Sequence, residues 1–186
     1  MNYKIKKISS DASFREFYRL KKGRKTSIIV QAHREKFKNL IVYIVINKIL
    51  TKNKIYAPKL ISSHFDYNMI EISDLGEKTF YDTIIKKNNK FDGYKNLIKI
   101  ILKLQKIKLK KKHHFGKFKV KIQKYSVKNL HKESDLFFDW YLKYCLKSSN
   151  LKKIKKILKT ELNQIYRNLY LKNDTFVHRD FHASNV

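Results

Sequence analysis

The sequence is short of several things at once. Of its 186 residues, one is Cys, one is Pro and four are Gly. A lone thiol, Cys145, can form neither an internal disulfide nor a Cys-based zinc cluster, and such usage fits a reducing compartment. So little Pro and Gly excludes collagen-like, linker-like and turn-dense small β architectures. Acidic side chains are scarce as well, 15 against 44 basic ones, for a formal charge of +29. The longest apolar run, Leu40 to Ile46, is far too short to cross a bilayer. Residues 1–10 carry lysines but no apolar core of a secretory signal. These absences lead to the expectation of a cytoplasmic protein with no membrane partner.

What is present is a globular composition, 42% hydrophobic and 13% aromatic, enough for one packed core or two small lobes. The charge has a bland reading. Only six of the basic residues are Arg and 38 are Lys, spread over the whole chain beside the Ile, Asn, Phe and Tyr that AT-rich codons favour. Nucleic-acid recognition leans on Arg for bidentate contacts. The excess therefore reads as solvated lysine, and no specific nucleic-acid partner is expected. A basic nucleic-acid-binding protein remains the third hypothesis, with steep salt dependence as its signature.

Hydrophobic periodicity divides the chain. Alternation over Phe14 to Leu20, a turn at Lys22 to Lys25 and the β-branched run Thr26 to Ala32 predict a hairpin. Phe37, Leu40, Ile41, Ile44, Val45 and Ile49 recur at three and four, predicting a helix. Pro58 interrupts helical geometry, and Lys59 to His64 with Asn68 to Ser73 predict a second strand pair turning near Asp66. The expected order is strand, strand, helix, strand, strand. After Asp74-Leu75-Gly76 the pattern becomes helical: Tyr94, Leu97, Ile101 and Leu104 share a face that ends at Lys110 to Lys112. Aromatic-rich Val127 to Leu146 and the stripe Leu151 to Leu169 follow, and these stripes read as core. His113 to Ile122 has no clear pattern, and Thr175 to Val177 looks like a short strand.

The chemistry is concentrated at the end. His178-Arg179-Asp180 followed by Asn185 fits H-R-D-x-x-x-x-N, the catalytic-loop pattern of kinases. Phosphoryl transfer needs an aligned hydroxyl, an acceptor for its proton and metal-neutralised phosphates. An Asp at the head of the loop supplies the acceptor, and an Asn five positions on, after the chain turns back, offers an oxygen to Mg²⁺. Asp180 and Asn185 take those roles, and His178 is expected to brace the loop. His178 and His182 as zinc ligands lack a visible third partner.

With His182 two residues after the Asp, the loop resembles the H-x-D-x-H-x-x-N signature of the aminoglycoside phosphotransferase and choline kinase-like family. Ser10-Asp11-Ala12-Ser13-Phe14-Arg15, Phe17-Tyr18-Arg19-Leu20, Asp74-Leu75-Gly76 and Phe137-Phe138-Asp139-Trp140-Tyr141 resemble its bacterial cell-wall amino-sugar kinase branch. The resemblance covers nearly the whole chain. It implies an α+β, two-lobed protein kinase-like fold: a small antiparallel β lobe with one helix over residues 1–73, and an incomplete helical lobe over 74–186. It further implies ATP and Mg²⁺ as co-substrate and cofactor, and an amino sugar as small-molecule partner. Asp11, Ala12 and Ser13 would turn over the ATP phosphates, and the backbone of Ile72, Ser73 and Asp74 would meet the adenine edge. Arg15 or Arg19 would either balance phosphate charge or be a solvated strand residue.

Two departures stand against that pattern. Residues 28–32 carry no ATP-anchoring Lys, and Lys25, Arg34 and Lys36 are nearby without an assignable role. No D-F-G-like metal-binding Asp follows Asn185, since Val186 is the next and last residue. The reading is a truncated kinase whose helices leave apolar surface exposed, with a catalytically dead nucleotide- or partner-binding module as the alternative.

Overall fold

The computed structural model describes residues 3–8, 15–33, 36–110, 112–146, 148–170 and 175–186. The chain forms two compact units, one of residues 1–122 with 178–186 and one of residues 123–177. The expected functional division at residues 73 and 74 lies inside the first unit.

The first unit is built on an antiparallel sheet. Its strands are β1 (Tyr3–Ile8), β2 (Arg15–Lys22), β3 (Lys25–Ala32), β4 (Leu60–His64) and β5 (Met69–Ser73), in the order β1-β2-β3-β5-β4. The β2–β3 hairpin forms where alternation predicts it, closed at Gly23, whose φ of +60° suits a residue without Cβ. The β4–β5 pair also forms, around a 3₁₀ turn at Phe65–Tyr67. The strand that sequence reading missed is β1, which pairs with β2 from Tyr3↔Lys22 to Ile8↔Phe17. Its Lys-rich YKIKKI hides an alternation whose apolar positions are largely exposed.

Helix α1 (Lys38–Lys52) packs on the inner face of this sheet. Leu40 and Ile44 meet Ile28, Val30, Ala32, Ile70 and Ile72 in one buried cluster. On its other side, Ile41 and Val45 form a second cluster with Val120. Val120 belongs to a hairpin of β6 (His113–Phe115) and β7 (Phe118–Val120), in the stretch that showed no clear pattern. There Phe115 and Phe118 both meet the ring of Phe65 edge to face, so alternate apolar residues face inward and lysines face out. An α1 covered on both sides explains why its sequence is apolar on more than one face.

After the sheet come α2 (Phe80–Ile84) and α3 (Phe91–Gln105). Gly93 lets them approach: a Cβ there would lie 2.2 Å from Ile84 Cδ1 and 3.0 Å from Phe80 Cζ. Helix α3 stops at Gln105, before the lysine run expected to end it. Leu97 and Leu104 of the predicted stripe are buried, whereas Tyr94 and Ile101 are exposed.

The second unit contains α4 (Val127–Leu136), a π-helical stretch at Phe137–Leu142, α5 (Lys143–Cys145) and α6 (Ser148–Asn168). The ring contact His131–Tyr166 and the ion pairs Asp135–Lys159 and Asp139–Lys155 step in opposite senses along the two segments, so these run antiparallel. The aromatic stripe is only partly core. Phe138 and Leu142 are buried, but Trp140 is 75% and Tyr144 92% exposed, and Ile157, Ile165 and Leu169 face solvent. A helix packed on one neighbour covers one strip of its surface and leaves the rest bare. Thr175 to Val177 is not a strand: it has no ladder partner among the described residues.

Truncating Ile44 to Ala should cost about 2–5 kcal/mol, the cost of emptying a buried Ile site that cannot collapse. Urea unfolding should show a lower midpoint with an unchanged slope.

Candidate active site

The first unit holds an open cavity of about 500 Å³ beside the end of β5. Phe17, Ile28 and Ile72 supply apolar lining, and Ser73, Asp74 and Gly76 border it, which places the predicted Ile72 to Asp74 segment at a cavity wall. The lining alternates as the strand register demands. Phe17 on β2 lies across from Val30, and Ile28 on β3 from Ile72 on β5, so these residues share the inner sheet face. Tyr43 of α1 also lines the cavity, and burial holds its phenol above the ordinary tyrosine pKa.

Arg19 is the cation whose placement the structure decides. Its Nε donates to Asp74 Oδ2 at 2.7 Å and its Nη2 to Asp74 Oδ1 at 3.1 Å. Nη2 also donates to the Gly76 carbonyl at 3.0 Å, and Nη1 to Glu77. The side chains of Arg19 and Asp74 are only 17% and 6% exposed. Arg19 is thus not a solvated strand residue: two carboxylates claim it. The Arg19 hydrogen bonds outweigh the opposing effect of burial and, with the Gly76 N–H, hold the Asp74 carboxyl below its ordinary value. Arg15 lies 5.1 Å from the centre of the Tyr43 ring, a cation–π contact. The β1 lysine paired across from Arg19, Lys6, lines the cavity too. Sequence reading had no reason to name Lys6, because β1 was unseen, nor Glu77, which is three residues from Asp74 in a segment taken as a boundary.

From this wall the chain leads straight into α2. Thr79 caps that helix by accepting from the Asp82 N–H, while Asp82 accepts from the Thr79 N–H and hydroxyl. The Phe80 N–H donates to Val186 O at 2.6 Å, so α2 holds the far end of the H-R-D loop. Within the loop, Arg179 takes a left-handed φ of +74°, a strained backbone for a residue with Cβ, and turns the chain between His178 and Asp180. A 3₁₀ turn at Ala183–Asn185 brings the chain back, with the Asn185 N–H on the His182 carbonyl at 2.9 Å.

The result joins the two predicted residues. Asn185 Nδ2 donates to Asp180 Oδ2 at 2.7 Å and to the Asp180 carbonyl at 3.2 Å. His182 Nε2 is 3.5 Å from Asp180 Oδ1, and the Asp180 side chain is 74% exposed. His178 meets Phe181 edge to face, with ring centres 5.5 Å apart. With Nδ2 turned to Asp180, the Asn185 amide oxygen is the atom available to a cation, and it lies beside a carboxylate. Such hard oxygen donors suit Mg²⁺. No group of three or more His, Cys, Asp or Glu residues gathers into a metal centre among the described residues. Asp11, Ala12 and Ser13, together with Arg34, lie outside the described residues.

The Arg19–Asp74 pair carries a pH signature. Because the folded Asp74 pKa is depressed, its stabilisation is complete above the unfolded value near 3.8 and is lost as pH falls through the lower folded value. Acid titration of stability should therefore be flatter below about pH 4 in Asp74→Asn than in wild type.

Comparison with known proteins adds to this geometry. The sequence model of the phosphotransferase enzyme family matches residues 4–186. An N-acetylmuramate/N-acetylglucosamine kinase of Pseudomonas aeruginosa is 22% identical over 182 residues, covering 96% of this chain and 49% of that protein. One of Pseudomonas putida is 25% identical over 134 residues, covering 72% of this chain and 36% of that protein. The chain thus spans about half the length, or less, of the curated relatives it matches. No helix among the described residues is long and apolar enough to cross a membrane. With the family match running through both the cavity wall and the H-R-D loop, the chain belongs to the phosphotransferase enzyme family.

Proposed function

We propose that this chain carries the nucleotide pocket and catalytic loop of an ATP-dependent kinase that phosphorylates a small-molecule hydroxyl. The observation that carries the reading is the 2.7 Å contact of Asn185 with Asp180. It sits in a loop tied to α2, in the same compact unit as the cavity at the end of β5. Residues 1–73 serve as the ATP-binding lobe and 74–186 as the portion bearing the catalytic loop. The names of the Pseudomonas relatives make an amino sugar the favoured acceptor.

In this reading the adenine enters the apolar cavity between Phe17, Ile28 and Ile72, against the backbone of Ile72 to Asp74. The acceptor hydroxyl oxygen forms a bond to the γ-phosphorus, and the bond from that phosphorus to the β-phosphate oxygen breaks, its electron pair leaving with ADP. Asp180 takes the hydroxyl proton. Its exposure leaves it open to an incoming hydroxyl, and Asn185 fixes one of its oxygens, so the other, Oδ1, with His182 nearby, is assigned the proton. Asn185, with Asp180 beside it, would hold Mg²⁺, which neutralises phosphate charge when bound. His178 keeps the loop head in place through Phe181.

The test is ADP release from Mg-ATP in the presence of N-acetylmuramate or N-acetylglucosamine. Sugar-dependent ADP release is expected, and Asp180→Asn should lower it at least about 100-fold, the usual contribution of a general base. Equal turnover in that variant would remove Asp180 from the mechanism. Magnesium-dependent ADP binding without transfer to either sugar would favour a nucleotide-binding module instead.

A further inference from the structure

The geometry points to Arg19 as a positioning residue for the nucleotide base: by clamping Asp74, Gly76 and Glu77, it sets the backbone against which the adenine is read. This rests on the nucleotide-pocket reading above and deepens it. The usual task for a cleft arginine is to meet phosphate, but here every donor-bearing arm of the guanidinium is spent on the segment that follows β5.

Between Ser73, the last residue of β5, and Phe80, the first of α2, the chain has no ladder to hold it, and Gly76 sits at a φ of +99°. A segment of this kind, bordering a cavity and containing a residue of wide conformational freedom, has many alternative paths. Three attachments select one of them. Asp74 folds back to accept from the Gly76 N–H at 2.9 Å, Arg19 grips both Asp74 oxygens, and Arg19 also takes the Gly76 carbonyl. The planar fork of Arg makes this possible, since it presents parallel donors at fixed spacing to a carboxylate. Arg19 is itself immobilised at mid-strand, paired to Lys6 on one side and Ile28 on the other. The register of β2 is thereby transmitted to the wall of the cavity.

Electrostatics reinforces the assignment. An unpaired Asp74 at 6% exposure would place a negative charge in the wall that meets a purine edge. Paired to Arg19 it is neutralised, and in this reading recognition of the base is left to backbone donors and acceptors of the wall. A base is told apart by such fixed donors and acceptors, so a displaced wall costs discrimination as well as affinity.

The experiment measures binding of ADP, GDP and inorganic pyrophosphate by calorimetry to the full 186-residue chain and its variants. Arg19→Lys keeps the charge and loses the fork. It should weaken ADP about fivefold to tenfold, narrow the preference for ADP over GDP, and leave pyrophosphate unchanged. The double variant Arg19→Met with Asp74→Leu removes both charges together, so no buried charge is left unpaired and folding is spared. It should show the same lost preference at a wild-type melting temperature. Unchanged ADP and GDP affinities in the folded double variant would overturn the assignment. So would a loss of pyrophosphate binding equal to the loss of ADP, which would mean that Arg19 serves phosphate. A wild-type chain that binds none of the three would instead remove the nucleotide reading, and this inference with it.

Discussion

The structure of the first unit depends on one helix being buried from two sides. Leu40 and Ile44 of α1 close the inner face of the sheet, while Ile41 and Val45, one position on, accept the β6–β7 hairpin. The residues are adjacent in sequence but about 100° apart around the helix axis, which is how a 3.6-residue repeat sets neighbouring apolar positions on two different faces. The sheet alone would be a half-bare surface, and the hairpin alone a three-residue pair of strands with no stability of its own. Between them α1 turns two weak elements into a layered core, and the cavity at the end of β5 is the part of the inner face that α1 leaves open.

How much of this could be read in the sequence varied with how local the information was. The β2–β3 and β4–β5 hairpins and α1 were legible because alternation, turn residues and helical spacing all sit within a few residues of each other. Strand β1 was not, since its alternation is of lysine with exposed apolar residues and its pairing is supplied by β2. The β6–β7 hairpin was hidden for a similar reason: Phe115, Phe118 and Val120 look patternless until α1 lies beneath them. The aromatic stripe from Phe137 to Tyr144 shows the reverse error, because apolar periodicity states which face wants cover and not how much cover a single antiparallel neighbour supplies.

The site divides along the same line. Asp180 and Asn185 could be paired from spacing alone, as their contact is made by one turn of chain. The role of Arg19 could not, because its partners Asp74 and Glu77 are 55 and 58 residues away. In a chain with 44 basic residues, a cation says little about its own position. The 15 acidic residues are the better guide. Glu16 holds Lys7 and Tyr18, Asp82 caps α2, and Asp135 and Asp139 bind α6 to its neighbour. Where carboxylates are rare, these ones each select a partner from a surplus and mark places where the fold is fastened.

The lysines of β1 have a consequence outside the site. The order β1-β2-β3-β5-β4 puts β1 and β4 at the two ends of the sheet, where unpaired N–H and C=O groups could accept another chain. Lys4, Lys6 and Lys7 charge one end, and the register shift between Leu60 and Ser62 distorts the other. A second copy approaching β1 edge-on would bring like charges together, and one approaching β4 would find a broken ladder. The same lysine surplus that carries little meaning in the composition thus charges an open sheet edge, one of the ways in which such edges are guarded against pairing with another chain.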